Sequence, residues 1–354
     1  MNKIVIFRLF LYKKVGLGHF YRCISYAEIL KNQGYESIFL YSGILNRDLQ
    51  KILKKNKIIK KKIYIKINFN ELTKKKILNI WLNRNFDWSK DSKQVNKIAR
   101  ELNCNKVVID IPGISQKWIS GLYRNIKKLV IDDSPVEKIK TNIIVNPNYI
   151  DNSYKYYYTI KKNQIYLGPN YIPFTNSLLK MRSRIRFKLD KIVIYLGSNI
   201  SLKNVIKIIE VFNKFPMKIR IISEHQMKLK KYFKSKKIKF YNLTDDIYNF
   251  YTWADLAIGC CGISAWERCY LLLPSINYIS ANNQTYDAKR LHDQFAIINL
   301  GLINDFNHNV LEKNIMQIKK SDQILRKMSI STKKVFSKNK YLIQLEPIRS
   351  LCSN

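Results

Sequence analysis

Hydrophobic and polar positions alternate along the first half of the chain in a pattern of short apolar runs separated by amphipathic stretches. The apolar runs predict strands at residues 3–7, 36–41, 106–109, 129–131 and 143–145. Apolar residues spaced by three or four positions predict helices at residues 18–33, 91–103 and 116–126. Strands that are apolar throughout, with helices between them, indicate a parallel sheet that is covered by helices on both faces.

The same pattern restarts in the second half. Strands are predicted at residues 191–196, 218–222, 238–241, 256–258 and 275–279. Helices are predicted at residues 202–214, 226–235, 246–253, 285–295 and 310–328, with a further helix opening near Ser264. Two such halves predict an α/β protein of two doubly wound, Rossmann-like domains that face a central cleft. Ligands of such sheets bind beyond the carboxyl ends of the strands.

A stretch rich in Pro and Tyr, residues 146–174, separates the two patterns and predicts an irregular connection. We therefore assign residues 1–165 to an N-terminal domain, 166–187 to a linker and 188–335 to a C-terminal domain. Residues 336–354 are predicted to form a separate C-terminal segment.

Residues 254–284 carry the strongest chemical signal in the second half. They read as a buried strand, a Cys-Cys-Gly turn, a helix and a second strand. A glycine turn at Gly262 that leads into a helix presents unpaired N–H groups and the positive end of the helix dipole, which suits a phosphate. Glu267 lies one turn into this helix, where a carboxylate could accept hydrogen bonds from a ribose diol. The alternative is an ordinary βαβ unit with a solvated Glu.

The first half carries its own signal between the first strand and the first helix. Gly16 and Gly18 let the backbone turn tightly and approach a ligand. His19 then falls in the first helical turn, where the dipole disfavours the imidazolium form. A neutral imidazole at a cleft is what a general base needs. An incidental surface histidine is the alternative.

Composition changes this picture little. The formal net charge is +39, with 64 Lys and Arg against 25 Asp and Glu. The lysines are scattered with abundant Ile and Asn, as an AT-rich coding sequence would produce, and the densest clusters lie at residues 54–66, 74–76 and 228–239. No zinc, RRM or KH signature accompanies them, so no specific nucleic-acid partner is expected. Weak association with an anionic membrane surface is compatible with the charge.

The location of the protein is predicted from what the chain contains. No apolar run approaches the roughly 20 residues that span a bilayer. The first residues are better explained as a strand than as a signal peptide, because Arg8 interrupts them. The six cysteines form no C-x-x-C pair, which favours reduced thiols in a cytoplasm. We expect a cytoplasmic monomer.

Both signals resemble one known family. The first segment matches its pattern without a gap from Phe7 to Cys23, and the second carries G-x-S-x-W-E-R and, later, A-x-N-Q. The matched residues of the first segment are Phe7, Arg8, Gly16, Gly18, His19, Arg22 and Cys23. Further matches occur in order at Asp110, Trp118, Asp132, Asp133, Asn148, Gly168, Pro169, Tyr171, Gly197 and Asn204. The chain thus resembles the PseG family of UDP-sugar hydrolases, relatives of the GT-B glycosyltransferase MurG.

The resemblance implies a GT-B-like fold in which residues 336–354 pack back onto the N-terminal domain. It implies hydrolysis of a UDP-linked diacetamido-trideoxy sugar to UDP and free sugar, with inversion at the anomeric carbon, in pseudaminic (nonulosonic) acid biosynthesis. No metal or cofactor is required in that scheme.

The resemblance also assigns roles to residues. His19 would activate water, and Glu267 would bind ribose. The other residues expected to contact substrate are Arg8, Gly16, Gly18, Arg22, Gly197, Ser198, Gly262, Ser264, Asn283 and Gln284. Arg8 and Arg22 either hold the ligand or serve the structure.

The chain departs from the family in front of the catalytic histidine. Phe10 and Tyr12 stand where the family has Asp and Ser, in what we expect to be a loop, and Ile111 and Pro112 replace a His-Tyr pair. These changes fit a different UDP-sugar or a divergent copy with little activity. They also fit transfer to an acceptor, so a GT-B glycosyltransferase that uses a UDP-sugar donor is the alternative function. A basic nucleic-acid-binding protein is a third.

Overall fold

The computed structural model describes residues 3–12, 15–64, 87–133, 135, 137–150, 164–198, 200–243 and 246–353. The chain divides into two compact units. The first consists of Met1–Leu179 and Lys338–Asn354, and the second of Lys180–Ser337.

The described part of the first unit contains a seven-stranded sheet. Its strands are β1 (Ile4–Leu11), β2 (Glu36–Gly43), β3 (Ile59–Lys62), β4 (Lys106–Asp110), β5 (Lys127–Ile131), β6 (Ile143–Asn146) and β7 (Ile165–Leu167). They pair in parallel in the order β3-β2-β1-β4-β5-β6-β7. The helices between them are α1 (Gly18–Asn32), α2 (Arg47–Lys55), α3 (Trp88–Glu101) and α4 (Gln116–Ser120), and α5 (Asn176–Leu179) follows β7.

Strand β1 is buried along nearly its whole length because both faces of the sheet are covered. Val5, Phe7 and Leu9 pack into one core with α1. Ile6 and Phe10 pack into a second core with α3 and α4. The sequence order of the strands reverses between β1 and β4, and such a switch point is where open α/β sheets bind ligands.

The second unit repeats the plan with six strands. They are β8 (Lys191–Tyr195), β9 (Lys218–Ile222), β10 (Ile238–Tyr241), β11 (Leu256–Cys260), β12 (Ser275–Ile279) and β13 (Ile297–Leu302). All described pairs are parallel, in the order β10-β9-β8-β11-β12-β13. The helices are α6 (Leu202–Val211), α7 (Gln226–Tyr232), α8 (Ile247–Trp253), α9 (Ile263–Tyr270), α10 (Thr285–Asp293), α11 (His308–Lys320) and α12 (Asp322–Lys333). The switch point lies between β8 and β11.

After the second unit the chain returns to the first. Helices α13 (Lys340–Ile343) and α14 (Glu346–Cys352) belong to the first unit. Ile348 and Leu351 of α14 are fully buried in the core that contains α1, β5 and β6.

The prediction of an α/β fold built on two parallel, doubly wound sheets is confirmed. Several local predictions are wrong. Strand β1 continues to Leu11, so Phe10 lies in a buried strand and not in a loop. The stretch expected to be irregular contains β7, because Ile165 pairs with Ile144 of β6, and the first unit therefore extends beyond residue 165. The single helix expected at 310–328 is two helices that meet at Ser321.

The structure also describes the state of the cysteines and the length of the helices. Five of the six cysteines are buried, Cys352 is half-buried, and all six are free thiols. No helix in the described ranges is long and apolar enough to cross a membrane.

Candidate functional site

His19 lies at the switch point of the first sheet. The loop after β1 turns at Gly16, whose φ of +80° belongs to the left-handed region that favours glycine. Helix α1 begins at Gly18, which places His19 in its first turn. Asp110 is the last residue of β4, the strand on the other side of the switch point, and it is fully buried. The predicted base and this carboxylate therefore meet at one edge of the sheet.

The two side chains form a short polar contact. Nδ1 of His19 lies 2.7 Å from Oδ1 of Asp110. Nη2 of Arg22 lies 3.1 Å from the same Nδ1. Because a carboxylate oxygen only accepts, the tautomer that donates to Asp110 carries its hydrogen on Nδ1, and in the neutral form of that tautomer Nε2 has the lone pair. The His19 side chain is 12% exposed. The pair can therefore accept a proton at Nε2 while Asp110 stabilises the charge that forms on the ring.

Arg22 also binds Asp110, and it shares the oxygen that His19 contacts. Its Nε and Nη2 donate to the two oxygens of Asp110 at 2.9 and 2.7 Å, and its Nη1 donates to Asp133 at 3.0 Å. Burial alone would raise the pKa of Asp110, but Arg22 and His19 lower it, and the net result lies well below the ordinary value. Asp110 is thus an ionised carboxylate. Arg22 is itself buried, which favours a positioning role over direct ligand contact.

Arg8 is placed differently from the expectation that it contacts substrate. It is fully buried, and its Nε and Nη2 donate to Asp91 of α3 at 2.7 to 3.1 Å. Nη2 also donates to Ser42, and Nη1 donates to the carbonyl groups of Leu9 and Leu40. Trp118 donates to the same Asp91 carboxylate at 2.6 Å. Arg8 therefore ties β1 to α3, and the structural alternative is the one that its surroundings favour.

In the second unit, the predicted phosphate residues follow the two strands at the switch point. Gly197 comes after β8 and has a φ of +96°, and Ser198 beside it is partly exposed. Gly262 comes after β11 and is the residue before α9. Because β8 and β11 pair directly, the loops after them begin at the same edge of the sheet. Within the described residues no side chain caps α9, which leaves its first N–H groups available to an anion.

Gln284 adds a donor at this helix end. Its Oε1 accepts hydrogen bonds from the backbone N–H of Ser280 at 2.9 Å and from the hydroxyl of Ser280 at 3.1 Å. These bonds fix the amide, and its Nε2 lies 3.5 Å from the position where a Cβ on Gly262 would stand. Asn283, in the same single turn, is exposed. The fold thus brings Gly262 and Gln284 together, although they lie 22 positions apart in the chain.

Glu267 and Ser264 both lie on α9. Oε1 of Glu267 accepts a hydrogen bond from the Tyr248 hydroxyl of α8 at 3.2 Å. Burial raises the pKa of Glu267 to about 7, while Tyr248 and Arg268 counteract this shift in part. The hydroxyl of Ser264 accepts from Nη1 of Arg268 at 3.2 Å. Glu267 therefore changes its charge near neutral pH.

No family model matches the chain. An uncharacterized protein of Methanocaldococcus jannaschii, MJ1062, is 24% identical over 286 residues, which are 74% of this chain and 53% of that protein. The chain therefore spans about half the length of the curated relative it matches.

Solved structures match over the whole chain. A UDP-glucosyltransferase from Polygonum tinctorium superposes with a TM-score of 0.68 at 11% identity and covers 100% of both chains. The MurG of Acinetobacter baumannii superposes with a TM-score of 0.63 at 16% identity and covers 97% of this chain and 99% of its own. The chain has a GT-B-like fold.

Two site residues of this GT-B-like chain were missed by the sequence reasoning. The PseG pattern includes Asp110 without giving it a role, although an acidic residue at the end of an apolar strand is a signal that indicates one. Arg268 is fully buried, and its Nη2 donates to the carbonyl of Cys260 at 3.0 Å and to Asn277 at 3.1 Å. It locks α9 to β11 and β12 directly behind the predicted phosphate turn.

The departures from the PseG pattern lie mostly in the interior of the GT-B-like chain. Phe10, Ile111 and Pro112 are buried, and the Arg8 guanidinium lies 4.8 Å from the ring centre of Phe10. Tyr12 is half-buried. His19 is oriented by Asp110, so the missing Asp at position 10 is not needed for that purpose.

Proposed function

We propose that this chain transfers a sugar from a nucleoside diphosphate donor, with UDP as the expected nucleotide, to a hydroxyl group of an acceptor. The observation that carries the proposal is the contact between His19 and Asp110. An imidazole whose Nδ1–H is held by an ionised carboxylate presents Nε2 as a general base, which is the group needed to deprotonate an attacking hydroxyl. As the hydroxyl attacks the anomeric carbon with inversion, Nε2 takes its proton and the bond from that carbon to the diphosphate oxygen breaks.

The second unit supplies the groups that a nucleotide requires. The departing diphosphate gains negative charge, and the uncapped N-terminus of α9 with the Nε2 of Gln284 offers donors for it. Glu267 accepts hydrogen bonds from the ribose diol. The P. tinctorium protein with a similar fold is a UDP-glucosyltransferase, which further supports the use of a nucleotide sugar.

Hydrolysis is the second candidate, and it is supported by the ungapped match to the PseG pattern from Phe7 to Cys23. In that reaction water replaces the acceptor, and the same His19 deprotonates it. The products are UDP and a free diacetamido-trideoxy sugar, as pseudaminic acid biosynthesis requires.

A UDP-release assay distinguishes the two reactions. Purified protein is incubated with the UDP-linked diacetamido-trideoxyaltrose, UDP-N-acetylglucosamine or UDP-glucose, alone and with a lipid and glycan extract as acceptor. Transfer predicts that UDP release depends on the extract, whereas hydrolysis predicts full release in buffer, with oxygen from labelled water in the free sugar.

Removal of the base tests the mechanism common to both. We expect His19→Ala to lower the rate of UDP release by roughly 100- to 10,000-fold with little change in nucleotide binding. His308→Ala is the matched control, because that histidine is half-exposed at the start of α11 in the second unit. Equal rates in the His19 variant and the wild type would rule out this base.

A further inference from the structure

One surface of the second unit combines dense positive charge with exposed apolar side chains. It consists of helix α7 and the chain that follows it into β10, the edge strand of the second sheet. Its exposed members are Met227, Lys228, Lys230, Lys231, Tyr232, Lys234, Lys236, Lys237 and Lys239. We call these residues the α7–β10 surface.

The positive charge of this surface comes from seven lysines. None of its seven lysines has a carboxylate within ion-pair distance among the residues that the structure describes, and residues 227–239 contain no Asp or Glu. In the first unit, Lys61 of the cluster at residues 54–66 pairs with Glu101, and Lys51 just before that cluster pairs with Asp48. Unpaired like charges repel one another, and a polyanionic partner relieves that repulsion.

The apolar members indicate which polyanion fits. Met227 is 66% exposed and Tyr232 is 62% exposed, while Leu229 and Phe233 anchor the helix in the core. Lysine stems and such side chains enter the boundary between headgroups and acyl chains, while the ammonium groups stay at the phosphates. A nucleic acid offers no apolar phase to Met227, and a single exposed Tyr is a poor stacking platform.

We infer that the α7–β10 surface docks on a bilayer rich in anionic lipid. Clusters of about four to eight Lys or Arg beside apolar positions have the composition that binds anionic headgroups. The inference goes beyond the proposed function, because it concerns where the enzyme works and not which bond it breaks.

Co-sedimentation with vesicles tests the inference. The full chain is mixed with phosphatidylcholine vesicles that contain or lack phosphatidylglycerol. We expect binding only to the anionic vesicles, and weaker binding at high salt. The variant Lys230→Gln, Lys231→Gln, Lys234→Gln, Lys237→Gln should lower the partition coefficient by about tenfold or more.

A matched variant separates the surface from net charge. Lys51→Gln, Lys54→Gln, Lys60→Gln, Lys62→Gln removes the same charge from exposed positions of the first unit. This control should keep near wild-type binding, and an equal loss in both variants would overturn the location. Absence of wild-type binding to anionic vesicles would overturn the inference itself.

The apolar contribution separates lipid from nucleic acid. Met227→Gln with Tyr232→Gln should weaken vesicle binding severalfold and leave retention on polyuridylate unchanged. If polyuridylate displaces the protein from anionic vesicles at equal phosphate concentration, and the lysine variant loses that RNA binding, the partner is RNA and the lipid inference fails.

Discussion

At the residue scale, the chemistry of the first unit rests on a carboxylate that lies 91 positions along the chain from the histidine it orients. Asp110 receives His19 on one oxygen and Arg22 on both, and each contact favours its ionised form. The orientation of His19 thus depends on Asp110, which is too far along the chain to be found from the residues around His19.

Asp110→Asn is expected to lower the catalytic rate by about 100- to 10,000-fold, because an amide also stabilises the wrong tautomer of His19. It should also destabilise the first unit by about 3 kcal/mol or more, since Arg22 loses a buried ionic partner. Steady-state kinetics and chemical denaturation measure the two effects. Asp133→Asn is the control, because it neutralises the second carboxylate that accepts a hydrogen bond from Arg22 and keeps Asp110 in place. A rate loss as large in this control would contradict the role of Asp110.

Glu267 predicts a pH dependence. Its pKa in the folded chain is about 7, raised by burial from 4.5, so the folded chain binds more protons than the unfolded chain between these values. Stability therefore decreases as pH rises from about 4.5 to about 7, and Glu267→Gln removes this decrease. If the ionised carboxylate accepts the ribose diol, UDP affinity should increase as pH rises through about 7 in the wild type only. Differential scanning calorimetry measures the stability, and isothermal titration with UDP measures the affinity, each from pH 5 to about 9. A flat affinity profile in the wild type would exclude a ribose-binding carboxylate at this position.

At the element scale, the packing of α9 against β11 depends on Gly259, which lies inside β11. A Cβ on Gly259 would lie 2.7 Å from Nη1 of Arg268, the side chain that fastens α9 to the sheet. Glycine is therefore required within the strand so that a buried guanidinium can approach the backbone.

Gly259→Ala is expected to destabilise the second unit by roughly 1–3 kcal/mol, because Arg268 must shift within a packed core. Gly262→Ala provides the contrast. The Cβ of this alanine would meet only Nε2 of Gln284 within 4 Å, at an ordinary contact distance of 3.5 Å. The melting temperature of this variant should therefore stay near that of the wild type, while its affinity for UDP decreases. Thermal unfolding with and without UDP measures the difference. Equal melting temperatures for the Gly259 variant and the wild type would contradict the packing explanation.

Most elements could be predicted from sequence because buried parallel strands are apolar without interruption. Strand β3 could not, because its residues Ile59–Lys62 are an exposed edge strand with no hydrophobic pattern. The break between α11 and α12 was also missed, since apolar spacing continues through Ser321.

The candidate site could be predicted only in its local parts. Glycine turns and helix starts are local features, so Gly16, His19 and Gly262 could be found from spacing. Partners across the sheet could not, and Arg8 could not be assigned because a strand residue can face either core. Its neighbours Ile6 and Phe10 share its face, and that face meets α3.

At the scale of the whole molecule, the first unit is assembled from two separate parts of the chain. Helix α14 contributes Ile348 and Leu351 to the core formed by α1, β5 and β6. Ile348→Ala should destabilise the first unit by about 2–5 kcal/mol, because a fully buried side chain is removed. Hydrogen exchange should then increase in β5 and β6 and stay unchanged in β8 and β11. Equal loss of protection in both sheets would contradict the assignment of α14 to the first unit.

This discontinuity has a consequence for how the protein is made. A ribosome that has completed β7 must synthesise the whole of the second unit before it reaches α14. At about 5–20 residues per second this interval lasts on the order of ten seconds, during which β5 and β6 lack their covering helix. The second unit, whose residues are contiguous, can close its core during that wait. The half of the protein that is begun first is therefore finished last, and the nascent chain carries an open apolar surface that chaperones can recognise.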